Sequence, residues 1–227
     1  NLYRSAEING EAKQGYSSGQ AIEALKRVAA KSLPAGYDYE FSGLSRQEIK
    51  AGSKTIYIFA LCLIFVFLFL TALYESWTMP LSVLLAVPLG AFGAILFLWL
   101  NPFLSNNIYS QIGLITLIGL AAKNSILIVE FAKERADRGM DAISATLEAV
   151  KLRLRPILMT SFAFIFGVLP LAVATGAGAV ARKTIGFTVM GGMLAATFLG
   201  IFIVPTLFVL IYRLSSRKNA THISEQE

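Results

Sequence analysis

Residues 108–131 read IYSQIGLITLIGLAAKNSILIVEF, an uncharged run of membrane-spanning length except for one ammonium, Lys123, well inside it and Glu130 near its end. No charged residue occurs between Glu75 and Lys123, and residues 124–129 are uncharged as well. Lys123 therefore does not readily reach water along its own helix. A charge at membrane depth costs roughly 2.5 to 3.5 kcal/mol on insertion scales, and such groups face a partner or a water-filled cavity along ion and proton pathways. The competing reading is that Lys123 snorkels to the interface. Its position well inside a span of about 20 residues disfavours that. The partner to expect is acidic.

Working outward, the chain of 227 residues is 56% hydrophobic and 15% charged, with a mean hydropathy of +0.64. This is the profile of an integral membrane protein with one soluble appendage, and it disfavours a soluble enzyme. The formal net charge is +6. The basic residues gather at the ends of apolar runs, where they set topology, so no nucleic-acid partner is expected. The single cysteine, Cys62, lies within an apolar run, so neither a disulfide nor a thiolate metal site is expected. The single histidine, His222, falls in a polar tail. With Asn1 first and no basic-then-apolar signal segment, the sequence reads as a piece of something longer.

Residues 1–50 are polar. Ser17 followed by Gln20 has capping-box spacing, Ile22, Leu25 and Val28 share a helical face, and Pro34 with Gly36 provides a stop. Tyr37, Tyr39 and Phe41 then alternate with Asp38, Glu40 and Ser42, the period of a strand with one buried face. A weaker alternation over residues 2–9 suggests a preceding strand. A strand, helix and strand totalling about 42 residues cannot bury an independent core. Residues 1–50 are thus expected to form part of a larger α+β domain.

Five membrane-length segments follow, at about 56–74, 79–100, 108–131, 156–175 and 185–212. Residues 51–214 form the transmembrane domain and 215–227 a tail. Lys133, Arg135, Arg138, Lys151, Arg153 and Arg155 crowd the connection between the third and fourth segments, which is therefore expected to be cytoplasmic. Counting crossings puts the tail on the same side and residues 1–50 on the other. Arg182 and Lys183 in the outer loop weaken the bias without reversing it. Within the connection, Ile143, Leu147, Val150 and Leu154 recur at helical spacing, either as a helix on the membrane surface or as a packed connector.

Small residues recur every four positions at Ala86, Gly90 and Ala94 and at Gly192, Ala196 and Gly200, as expected of closely packed helices. Pro88, Pro170 and Pro205 fall within apolar segments, where each frees a carbonyl and permits bending. A buried lysine needs polar company. The fourth segment offers Thr160 and Ser161, and Arg153 lies seven residues before Thr160, on the same face if the helix runs back through Pro156. Asn124 is placed to hydrogen-bond inward. Glu130 lies one turn before Lys133 and marks the interface, so the counter-charge of Lys123 is expected from outside this stretch. There is no phosphate-binding glycine loop, nucleophile elbow or metal-ligand cluster. Neither an enzyme nor a bound cofactor is expected.

The blocks ALYESWTMPLSVLLAVPLG, IGLAAKNSILIVEFAK, RLRPILMTSFAFIFGVLPL and VMGGMLAATFLGIFIVPTLF, in this order and spacing, resemble the C-terminal portion of the resistance-nodulation-division (RND) multidrug efflux pumps of Gram-negative inner membranes. The branch is the one exporting hydrophobic and amphiphilic compounds. The resemblance implies an α-helical polytopic membrane protein whose five helices are the last five of twelve, preceded by the end of a periplasmic porter subdomain. It implies a secondary active antiporter driven by protons, working as a homotrimer with a periplasmic adaptor and an outer-membrane channel. Residue by residue, Lys123 matches the family's relay lysine, which faces two aspartates, and Asn124 the asparagine beside it. Arg153 matches the arginine at the cytoplasmic entrance, and Thr160 the relay threonine. The aspartates, most of the drug pocket and the docking domain lie outside this sequence. Two other readings stay open. One is an RND-superfamily transporter of lipids, metal ions or polypeptides, and the other is a membrane assembly subunit that transports nothing.

Overall fold

The computed structural model describes all residues except 1–3, 11, 14–15, 53–54, 102–103, 105, 177 and 225–227. The described residues form eight helices: α1 (Ser18–Ser32), α2 (Gly43–Gly52), α3 (Thr55–Tyr74), α4 (Met79–Leu84), α5 (Val87–Leu100), α6 (Ile108–Asp137), α7 (Ala142–Ala172) and α8 (Ala179–Ser224). Taking α4 and α5 together, five spans are long and apolar enough to cross a membrane.

The capping box forms as the sequence suggests. Gln20 donates its backbone N–H to Ser17 Oγ at 3.2 Å, and Ser17 N–H donates to Gln20 Oε1 at 3.0 Å. Of the strand–helix–strand reading of residues 1–50, only the helix is shown. Residues 4–10 and 37–42 carry no regular structure, residues 2–3 lie outside the described residues, and a second helix, α2, follows. The alternation at Tyr37, Tyr39 and Phe41 is a local signal, whereas a strand is completed only by a neighbour that accepts its hydrogen bonds. No strand exists among the described residues. Tyr39 and Phe41 instead meet edge to face with centroids 5.6 Å apart, and Ser18 Oγ donates to Glu48 Oε1 at 2.5 Å, tying α1 to α2.

The second span is interrupted at residues 85–86. Pro88 has no N–H to return to the carbonyl four residues back, so it opens α5 in its first turn and does not bend a continuous helix as expected. Pro170 and Pro205 do lie inside α7 and α8. The fourth span also departs from expectation, because α7 runs without a break from Ala142 through Pro156. The amphipathic stretch before Pro156 is therefore the first part of a spanning helix. Its small residues Ala142, Ala145 and Ala149 are buried against the bundle, while Ile143 and Leu147 face outward.

Helix α8 is the hub, touching α4, α5, α6 and α7, and α3 lies at the periphery. The closest approach is between α5 and α8. A Cβ on Gly93 would meet the Gly191 carbonyl oxygen at 2.5 Å, so only glycine fits. The expected ridge residues Gly90, Gly192 and Ala196 also meet, whereas Gly200 has only Val204 of its own helix nearby. Helices α3 and α6 run parallel. Thr55 donates to Gln111 Oε1 at 2.9 Å at one end, and Lys133 Nζ donates to the Tyr74 carbonyl at 2.6 Å at the other, closing the C-terminus of α3 with a cation.

Candidate functional site

The site is built where α6, α7 and α8 meet. Helix α6 starts on Asn107, whose side chain accepts from the N–H groups of Tyr109 and Ser110 at 3.0 and 3.2 Å. It ends in a Schellman motif. Gly139, with φ +93°, donates to the Ala136 carbonyl, and Met140 donates to that of Arg135. Asp141 then caps α7 by accepting from Ile143 N–H at 3.1 Å. This tight turn sends α7 back antiparallel to α6.

Halfway along, the Asn124 amide donates to Ser161 Oγ at 3.1 Å and to Thr197 Oγ1 at 3.4 Å, and Thr197 Oγ1 donates to Ser161 Oγ at 2.9 Å. All three side chains are buried. One polar residue from each of three helices thus closes a triangle. Along each helix it lies between two apolar layers, one including Leu117, Ile165 and Met193 and the other Ile128, Ile157 and Val204. Asn124 turns inward as expected. Thr197 was not singled out by the sequence, although a hydroxyl one residue after Ala196 in a packing ridge is a group that needs a partner.

Successive residues on a helix turn by about 100°. In an antiparallel pair, the residues immediately before two facing partners emerge on the same side. Asn124 and Ser161 face each other, so Lys123 and Thr160 leave the α6–α7 pair together, and both are exposed. Among the described residues Lys123 makes no ion pair: the three that form are Arg46–Glu40, Arg135–Glu148 and Arg138–Glu134. The Thr160 hydroxyl donates back to its own helix, at 3.0 Å from the Pro156 carbonyl and 3.1 Å from that of Ile157. Arg153 lies two turns from Thr160, about 10 Å along the axis. Its guanidinium does not approach Lys123 but stacks on Phe131, with Cζ 3.5 Å from the ring centroid, and its buried Nε has no hydrogen-bond partner. Of the four candidates, Lys123 and Thr160 share one side, Asn124 anchors them from behind, and Arg153 stands apart toward the basic end.

The AcrB/AcrD/AcrF family profile matches residues 1–212. The multidrug export protein AcrF of Escherichia coli (strain K12) is 52% identical over 210 residues, covering 92% of this chain and 20% of that protein. The multidrug resistance protein MdtF of the same strain is 52% identical over 214 residues, covering 94% of this chain and 20% of the relative. The toluene efflux pump membrane transporter TtgB of Pseudomonas putida is 49% identical over 218 residues, covering 96% and 21%. The chain thus spans about a fifth of the length of the curated relatives it matches. With five apolar spans and a family match that takes in both the helical triangle and its flanking cations, the chain belongs to the AcrB/AcrD/AcrF family of RND efflux transporters.

Proposed function

We propose that this chain is part of the membrane domain of a proton-driven exporter of hydrophobic and amphiphilic compounds in a Gram-negative inner membrane. The relatives' names, multidrug export and toluene efflux, support the substrate class. The observation that carries the coupling is Lys123: an exposed ammonium inside an apolar span, on the side it shares with Thr160, with no anion to neutralise it among the described residues. A membrane does not tolerate that cation bare. Carboxylates from the rest of the transporter attract it when ionised, and the attraction falls when a proton neutralises one of them. Protonation thereby becomes a rearrangement of α6 against its neighbour. Arg153 and Thr160 line the route from the basic end, residues 1–50 stand in the periplasm, and the tail after Leu214 is cytoplasmic. The assembly is a homotrimer engaging a periplasmic adaptor and an outer-membrane channel.

The test is dye extrusion from energised cells carrying the full-length transporter. Lys123→Ala leaves the carboxylates without their cation, which favours their neutral form at low dielectric. A pump held in one protonation state does not cycle, so extrusion is lost although the protein inserts and assembles. Lys123→Arg keeps the charge but changes its shape and donor geometry, and it rescues little. Normal extrusion by a well-expressed Lys123→Ala variant would remove Lys123 from the mechanism.

A further inference from the structure

The geometry points to Phe131 as the positioning residue of Arg153: its ring holds the guanidinium at the basic end of the α6–α7 seam by a cation–π contact. The assignment rests on the proposed place of Arg153 in the proton route. Phe131 lies seven residues after Asn124, two turns along α6, and so faces the same seam as the buried triangle. Its ring carries two guanidiniums, with Arg153 Cζ at 3.5 Å from the centroid and Arg135 Cζ at 5.1 Å. Both are within the roughly 6 Å over which the ring's negative face attracts a cation.

The two arginines are not equivalent. Arg135 Nε lies 3.3 Å from Glu148 Oε2, so its charge is matched and it is fixed in place. That pairing occupies the Glu148 carboxylate and lets two cations share one ring without a full like-charge penalty. Arg153 has no carboxylate among the described residues, and its Nε is buried without a hydrogen-bond partner. A half-buried guanidinium in that state relies on the aromatic face. Because it lies over the ring and commits no donor at Nε, it can turn to an anion without first breaking an ion pair. An ion-paired arginine at this position would be trapped, and one over an aliphatic side chain would have nothing to compensate its lost hydration.

The test replaces Phe131 in the full-length transporter with mono-, di- and trifluorophenylalanine, which weaken the ring's negative face with little change in size. Substrate-driven proton flux is measured in proteoliposomes, alongside Phe131→Leu, Phe131→Trp and Arg153→Ala. The expected result is a stepwise fall in flux with each fluorine, a loss of roughly ten-fold in Phe131→Leu and retention in Phe131→Trp, all with unchanged assembly. In the Arg153→Ala background the fluorine series is flat. A flat series on intact Arg153, with Arg153→Ala impaired, overturns the role of Phe131 and leaves the proton route standing. Normal flux in Arg153→Ala overturns both.

Discussion

Gly93→Ala is the sharpest probe of the helix packing that holds the site. The new methyl falls 2.5 Å from the Gly191 carbonyl oxygen and collides with Ala195 Cβ. Ordinary contact begins near 3.4 Å, so α8 must retreat by about 1 Å to clear the carbonyl and by more to clear Ala195 Cβ. The obstacle is backbone, and α8 also packs on α4, α6 and α7, so relief is not local. Overpacking of this kind costs about 1 to 3 kcal/mol, and here the rigid obstacle places it toward the upper end. Removing a helical glycine returns about 0.5 to 1 kcal/mol. The net expectation is a destabilisation of about 2 kcal/mol. Gly90→Ala is the matched control, because its methyl meets Ala121 and Ala196 Cβ at 3.6 Å and the Gly192 oxygen at 3.7 Å, all ordinary contacts. It gains the helix term without the clash. Both variants are made in the full-length transporter in one detergent, and unfolding is followed at a single scan rate, since irreversible unfolding makes the midpoint rate-dependent. Gly93→Ala unfolding no earlier than Gly90→Ala would refute the close approach of α5 and α8.

Two further outcomes follow from the same geometry. Asn124→Leu, combined with Thr197→Val in a double-mutant cycle, is expected to show a coupling of about 0.6 kcal/mol, the average for interhelical hydrogen bonds in membranes, and no more than about 1.7 kcal/mol, when unfolding is followed in denaturant; zero coupling would dissolve the triangle. Cysteines placed at the exposed positions Ser42 and Ser144, in a background lacking Cys62, are expected to label from outside and inside the membrane respectively. Equal labelling from outside would sink the topology.

The spans were legible because hydropathy is a property of each stretch by itself, and so was the isolation of Lys123, since the sequence shows no embedded carboxylate near it. The turn between α6 and α7 rests on equally local residues, Gly139 and Asp141, although neither was singled out in the sequence. What was not legible is relational. Period-four spacing marks which residues share a face but not the rotation at which two helices meet. It singled out Gly90, where a methyl would meet only ordinary contacts, and passed over Gly93 and Gly191, where the α5 and α8 backbones approach closely. The strand pattern of residues 37–42 is not realised among the described residues for a similar reason, because alternation is local and pairing is not. Thr197 and Phe131 escaped notice since each acquires meaning only from a residue on another helix, Asn124 in one case and Arg153 in the other.

Neighbouring residues 123 and 124 carry opposite obligations, and a turn of about 100° lets one helix meet both. Asn124 is satisfied inside this bundle, bonded to α7 and α8. Lys123 is left facing away. Rotating α6 by one residue to hide the lysine would pull the asparagine amide out of its triangle and into hydrocarbon, where an unsatisfied polar group costs several kcal/mol. The same rotation would take Phe131 off Arg153. The rotation of α6 is therefore locked to α7 and α8, and a force applied at Lys123 is not dissipated by the helix spinning about its axis. On the proposed reading, neutralising the partner of Lys123 moves the three helices as one body. On that reading the exposed lysine is the handle, and the buried asparagine makes the handle pull on more than its own helix.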